Sequence, residues 1–195
     1  TGASLVTGFL VGKWSRAFLN YTYEVIKLSE ADPADLTDPF YPGGGGINYG
    51  PQYDPLLYGD FGQRRESRIT PNLVYNTVDS PFTPRAGMRH TATVMFAGGP
   101  LGGTVDYIRP NLEAIVYQPI GRKMSLGMRA EAALIHPYGD TKVLPLYQRY
   151  FLGGETQIRG YNIRSIGPVD SQGRALGGDK FGLFNAEYYF DVFGP

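Results

Sequence analysis

Residues 16–25 read "RAFLNYTYEV". Taken alternately, Arg16, Phe18, Asn20, Thr22 and Glu24 fall on one side, and Ala17, Leu19, Tyr21, Tyr23 and Val25 on the other. One side is mostly polar and the other wholly apolar. A period of two is the signature of a strand with chemically different faces, because successive side chains of a strand point to opposite sides. The same split recurs along the chain. In "YIRPNLEAIVY" (107–117), Arg109, Asn111 and Glu113 oppose Ile108, Leu112, Ala114 and Val116. In "KMSLGMRAEAAL" (123–134), Ser125, Gly127, Arg129 and Glu131 oppose Leu126, Met128, Ala130 and Ala132. In "FGLFNAEYYFDVF" (181–193), Asn185, Glu187 and Asp191 oppose Phe184, Ala186, Tyr188 and Phe190. "SRITPNLVYN" (67–76) and "MRHTATVMFAGG" (88–99) alternate in the same sense, the second more softly.

Seven strands follow, at about 2–12, 15–28, 66–78, 87–98, 105–118, 122–135 and 181–193. Many exceed the roughly 5–6 residues usual for soluble strands. Their connections alternate in length. Gly12-Lys13-Trp14, "DSPFTPRA" (79–86) and "QPIGR" (118–122) are short. Residues 29–65, with "GGGG" at 43–46, and residues 136–180 are long. Short turns at one end and long loops at the other characterise outer-membrane barrels. A soluble sandwich also alternates, but turns its apolar face inward. Two features tilt the balance to an antiparallel transmembrane barrel. Arg and Glu sit together at mid-strand, as on a hydrated inner wall, and the apolar faces mix small residues with tyrosine, as where lipid is met.

Composition narrows the function. The chain has 195 residues, among them 27 glycines, 15 tyrosines and 11 phenylalanines. Eighteen basic residues balance eighteen acidic ones, so there is no basic excess to bind nucleic acid. The absence of cysteine excludes disulfide scaffolds, thiolate metal sites and cysteine nucleophiles. His90 and His136 have no partner at metal-ligand spacing, so neither a metal nor another cofactor is expected. The glycine runs at 43–46 and 98–103 lack the Lys-Ser/Thr that a phosphate cradle needs. Tyr41, Tyr49, Tyr53 and Tyr58 suggest self-packing of a loop more than a sugar-binding surface. Glu113, Arg129 and Glu131 read as charges of an inner wall, not as a catalytic set.

One long loop carries "LPLYQRYFLGGETQIRGYNIRSIGP" (144–168). Its aromatic "LYQRYF", Gly153-Gly154, the Ile158-Arg159-Gly160-Tyr161 core and Ile166-Gly167-Pro168 occur in this order. The turn "VDSPFTPRAG" (78–87) precedes them and "LGGDKFGLFNAEYYF" (176–190) follows. This ordered set resembles the BamA family, the central barrel subunits of the outer-membrane β-barrel assembly machinery. The resemblance covers at least residues 66–195. It implies a sixteen-stranded barrel, of which residues 1–195 would hold the sixth to twelfth strands. The other strands and the periplasmic POTRA domains would lie outside this chain.

The resemblance also implies a function and a site. The family inserts and folds other barrels in the outer membrane of Gram-negative-type bacteria, without covalent chemistry. Its partners are unfolded outer-membrane clients, outer-membrane lipid and assembly lipoproteins, the last met through the periplasmic domains. Its long sixth loop folds back into the lumen, where an arginine meets acidic residues of the wall. The matching arginine is Arg159, and Glu187 is the expected wall partner, with a second acidic partner on a strand beyond this chain. Gly160 would allow positive φ or close backbone approach. Tyr161 would pack its ring and partner its hydroxyl. Three other readings stay open: a related translocation-and-assembly or two-partner secretion transporter, a passive pore, and a soluble carbohydrate-binding sandwich.

Overall fold

The structure is a computed structural model, and it describes residues 1–28, 62–121, 123–141, 144–169 and 175–190. The glycine run at 43–46, Tyr41, Tyr49, Tyr53, Tyr58 and Asp191 lie outside the described residues.

Seven long strands form as the alternation predicts: β1 Gly2–Leu10, β2 Ser15–Leu28, β3 Gly62–Asn76, β4 Gly87–Ala97, β5 Tyr107–Pro119, β6 Met124–Leu134 and β8 Lys180–Phe190. A two-residue strand, β7 (His136–Pro137), adds to β5 where the sequence predicted only loop. The third strand begins at Gly62, four residues before its predicted start at 66. The arginine-rich segment "QRRE" lacks strand-like hydrophobicity, yet its backbone pairs with Glu24 to Lys27. All long strands pair antiparallel with their sequence neighbours, in the order β1-β2-β3-β4-β5-β6-β8. The described sheet is not closed, and β1 and β8 are its edges. The β3–β4 ladder steps from Ile69↔Phe96 to Asn72↔Thr93, skipping Thr70 and Pro71, since proline has no N–H to donate.

Register puts each polar face on one side of the sheet. Arg109, Asn111 and Glu113 of β5 align with Met95, Thr93 and Thr91 of β4. Asn111 and Glu113 align with Ala133 and Glu131 of β6. The described residues between β7 and β8 meet this polar side through Gln148, Thr156, Gln157 and Arg159. The opposite side carries the apolar residues and is open: Leu73 is 47% exposed, Leu112 61% and Phe184 67%. A soluble sandwich would cover these apolar residues and leave the charges in water. The observed sheet does the reverse, as a membrane-spanning sheet must. No described helix is long and apolar enough to cross a membrane, which says nothing about strands.

The connections define two ends. Residues 11–14 and 77–86 turn the chain at one end, where β5 also passes to β6. Residues 98–106 and the described residues between β6 and β8 lie at the other. The short β3–β4 turn is organised by Asp79, whose carboxylate accepts N–H bonds from Ser80 at 2.9 Å and Arg85 at 3.0 Å. A small apolar core sits at the long-loop end on the polar side. Ala97, Val105, Tyr107, Ala133, Ile135, Leu144 and Tyr150 cluster there, with Met95 and Phe181 against them.

Two predictions follow from this layout. Leu112→Arg places a cation at mid-strand on the apolar face, and should cost the intact barrel about 2–4 kcal/mol in lipid. Urea unfolding in vesicles would measure it, and a neutral effect would refute the lipid-facing assignment. The second concerns Asp79. Its carboxyl is held below the usual carboxylate range, first by the Arg85 N–H bond. A depressed folded-state pKa stabilises above the unfolded value, and that stability fades as pH falls through the folded one. Asp79→Ala should therefore weaken the turn at neutral pH, and its difference from the parent should vanish in acid. Hydrogen exchange of the Arg85 amide across that range would show it.

Candidate functional site

The polar side of the sheet is a set of charges with partners. Arg129 Nε donates to Glu113 Oε1 at 2.8 Å, and its Nη2 donates to Glu131. Arg89 Nη2 reaches Glu113 from the other flank at 3.4 Å. Asn111 Nδ2 donates to Glu131 Oε1 at 2.9 Å. These residues come from β4, β5 and β6, and meet because alternation aims them to one side and register puts them level. Glu113, Arg129 and Glu131 are thus paired with each other and their neighbours.

The segment 144–178 is built largely by its own backbone. Leu152 and Ile166 pair antiparallel, with reciprocal N–H···O bonds of 3.1 and 3.0 Å. Tyr150 and Gly178 do the same at 2.9 and 2.8 Å. Gly154 accepts the N–H of Ile158 at 2.9 Å and donates its own to the Tyr161 carbonyl at 3.1 Å. Gly153 has φ of 118°, and a Cβ there would lie 2.2 Å from the Asn162 carbonyl oxygen. Only glycine fits such a site. Arg164 lays its guanidinium 4.0 Å from the Phe151 ring centroid. Arg149 donates to the Leu144 and Leu176 carbonyls at 3.1 and 3.0 Å.

This loop meets the wall at its tip and at its base. At the tip, Arg159 Nη2 lies 3.0 Å from Glu187 Oε1 of β8. Glu187 also accepts the Tyr189 hydroxyl. Beside them the loop offers carbonyls: Thr156 O accepts Arg129 Nη1 at 3.1 Å, and Gln157 O accepts Asn185 Nδ2 at 2.9 Å. The Arg159 side chain is 74% exposed and that of Glu187 34%.

The other residues singled out in the sequence are placed as follows. Gly160 has φ of 86°, with nothing near the position of a Cβ, so it serves conformation and not close approach. Ile158 is half-buried beside the wall. Tyr161 is 59% exposed, and its carbonyl closes the turn onto Gly154. Ile166 closes the loop on Leu152. Gly167 has φ of 150°, and Pro168 accepts the Leu176 N–H at 2.8 Å.

Sequence reasoning missed the base. Gln148 Nε2 donates to both oxygens of Glu66, at 3.1 and 3.0 Å. Glu66 is wholly buried and also accepts Arg68 Nη1 at 2.8 Å and the Tyr107 hydroxyl at 3.2 Å. Arg68 continues to Glu24 at 2.9 Å. Arg109 Nη1 donates to Gln148 Oε1 at 3.1 Å, and its Nε donates to the Tyr150 hydroxyl at 2.8 Å. Glu66 and Arg68 share the parity of the polar face, which the sequence could have used to aim them inward. Nothing local marks Gln148, 82 residues away, as their partner.

Comparison with known proteins agrees with this architecture. The Omp85 superfamily domain matches residues 1–195. Over 121 residues the chain is 36% identical to the outer membrane protein assembly factor BamA of Nitratidesulfovibrio vulgaris, covering 62% of this chain and 15% of that protein. It is 29% identical over 120 residues to the mouse sorting and assembly machinery component 50 homolog, covering 62% of this chain and 25% of that protein. The crystal structure of BamA from Haemophilus ducreyi lacking POTRA domains 1–3 superposes with a TM-score of 0.66 at 22% identity, covering 95% of this chain and 35% of that one. The chain therefore spans only a minor part of these relatives. Its strands are a partial, unclosed β-barrel of the BamA type, placed in the outer membrane, and the chain belongs to the Omp85 superfamily.

Proposed function

We propose that this chain is part of an outer-membrane assembly factor that inserts and folds other β-barrel proteins, acting by binding and membrane deformation and not by covalent chemistry. The observation that carries the reading is the loop 144–178 folded onto the charged wall, within an Omp85 domain match over the whole chain. A passive pore needs that space for solute. Relatives named as assembly factors, from a bacterium and from a mouse, point the same way. The partners are unfolded outer-membrane clients and the surrounding lipid, with assembly lipoproteins met through periplasmic domains outside this chain. Depleting the full-length protein from its own cells and quantifying folded outer-membrane barrels tests it. A broad fall across unrelated barrels is expected. Loss of one exported protein, with other barrels intact, would instead indicate a dedicated secretion or translocation transporter.

Within that function Ile158-Arg159-Gly160-Tyr161 is the loop-anchoring motif, and Glu187 its partner on the wall. The flanking Gly153, Gly154, Ile166, Gly167 and Pro168 shape the loop that presents Arg159. The guanidinium suits this role because its fixed fork of donors holds a carboxylate in one orientation. Reversal of Arg159 to Glu should destabilise the barrel, and adding Glu187→Arg should restore part of the loss. A coupling of roughly 0.5 kcal/mol or more is expected for side chains in contact. A double-mutant cycle on the thermal mobility shift of the full-length barrel reads it. Strictly additive effects would dissolve the pair.

A further inference from the structure

The tip contact and the base contact differ in kind. Arg159 and Glu187 form an ion pair at the tip. At the base, Gln148 is 7% exposed and Glu66 0%. We propose that the Gln148–Glu66 contact is a second fastening of the loop to the barrel wall, one that holds the loop base independently of the Arg159–Glu187 contact at the tip.

Three features support this. Glu66 is a carboxyl acceptor enclosed by protein, with Arg68, Tyr107 and Gln148 as its donors. Gln148 is the only one of these three that belongs to the loop, so lifting the loop base would leave the carboxylate short of a donor in a place water does not reach. An unmade hydrogen bond costs far more there than at a wet surface. Gln148 is also held from its other end, because its carbonyl oxygen accepts Arg109. The amide is thereby fixed in orientation, with its NH2 toward the carboxylate and its oxygen toward the guanidinium. A glutamate or a leucine at 148 could not satisfy both neighbours. Finally, Arg109 extends the clasp to Tyr150 through a hydrogen bond and the face of the ring. Strands β3 and β5 are thus joined to the loop on both sides of Gln148. The inference rests on the placement of the loop and not on the assembly activity.

The test uses the full-length protein in outer-membrane vesicles, with Ala133→Cys as a reporter. Ala133 is 6% exposed and lies beneath the loop base in the apolar cluster. A maleimide reaches it only when the base lifts. Gln148→Leu should raise the labelling rate roughly tenfold or more, the ratio expected when a buried acceptor loses its donor. Arg159→Ala should leave the rate near the parent's. Equal acceleration by Arg159→Ala, or none by Gln148→Leu, overturns the proposal. If Gln148→Leu fails to assemble, the exchange variant Glu66→Gln with Gln148→Glu decides. It retains a carboxylate facing an amide, and should assemble and label more slowly than either single exchange. Failure of that rescue also overturns the proposal. Fast labelling in the Ala133→Cys parent would overturn both the fastening and the placement of the loop.

Discussion

Everything in this sheet depends on one constraint: in lipid, a backbone N–H or C=O has no water to turn to. Each unsatisfied group costs several kcal/mol. The chain answers with long antiparallel ladders in which neighbours in sequence are neighbours in space. Side chains then sort by necessity. Leu112 and Phe184 face outward, where lipid is the better solvent, and charged residues of the same strands face the other way. Where Pro71 cannot donate, the ladder with β4 is interrupted, and it resumes in register at Asn72. The same constraint makes the edges at β1 and β8 expensive wherever they meet lipid unpaired.

Sending charges inward raises a second problem. A wall of Arg and Glu is stable if it is wet or if each group finds a partner. Both solutions occur here. Cross-strand arginines meet Glu113, Arg129 of the same strand and Asn111 across the ladder meet Glu131, and the loop adds the Thr156 carbonyl to a spare N–H donor of Arg129. Around Glu66, solvent is excluded and every oxygen is met by protein. The loop is therefore more than a plug. It contributes donors and acceptors that the wall uses. Burial of Ala97, Val105, Tyr107 and Leu144 at its base adds an apolar component of ordinary kind.

The loop holds its shape before it holds the wall. Pairing of Leu152 with Ile166 and of Tyr150 with Gly178 fixes its stem, and Gly153 permits the tight return that sets Asn162 against it. This order explains why a segment with so little strand-like alternation is nonetheless well defined. Its regularity lies in backbone bonds between residues far apart in the segment, which leave no periodic trace in side-chain chemistry. A preformed loop also loses less conformational entropy on docking.

Alternation alone fixed the seven strands, their two faces and their up-and-down order, because a period of two survives in any environment that treats the faces differently. In the same way Glu187 was legible as inward-facing, whereas Arg159 was singled out only by the family resemblance. Strand starts such as Gly62 were not legible, since "QRRE" pairs through its backbone while its side chains say nothing of strand. The sign of the alternation, apolar face out, also needed the structure: sandwich and barrel share the pattern and differ only in which face is covered. Above all, the union of Glu66 with Gln148 was decided by tertiary structure. Strand parity aims one and loop pairing places the other, and a contact across 82 residues is written in neither neighbourhood.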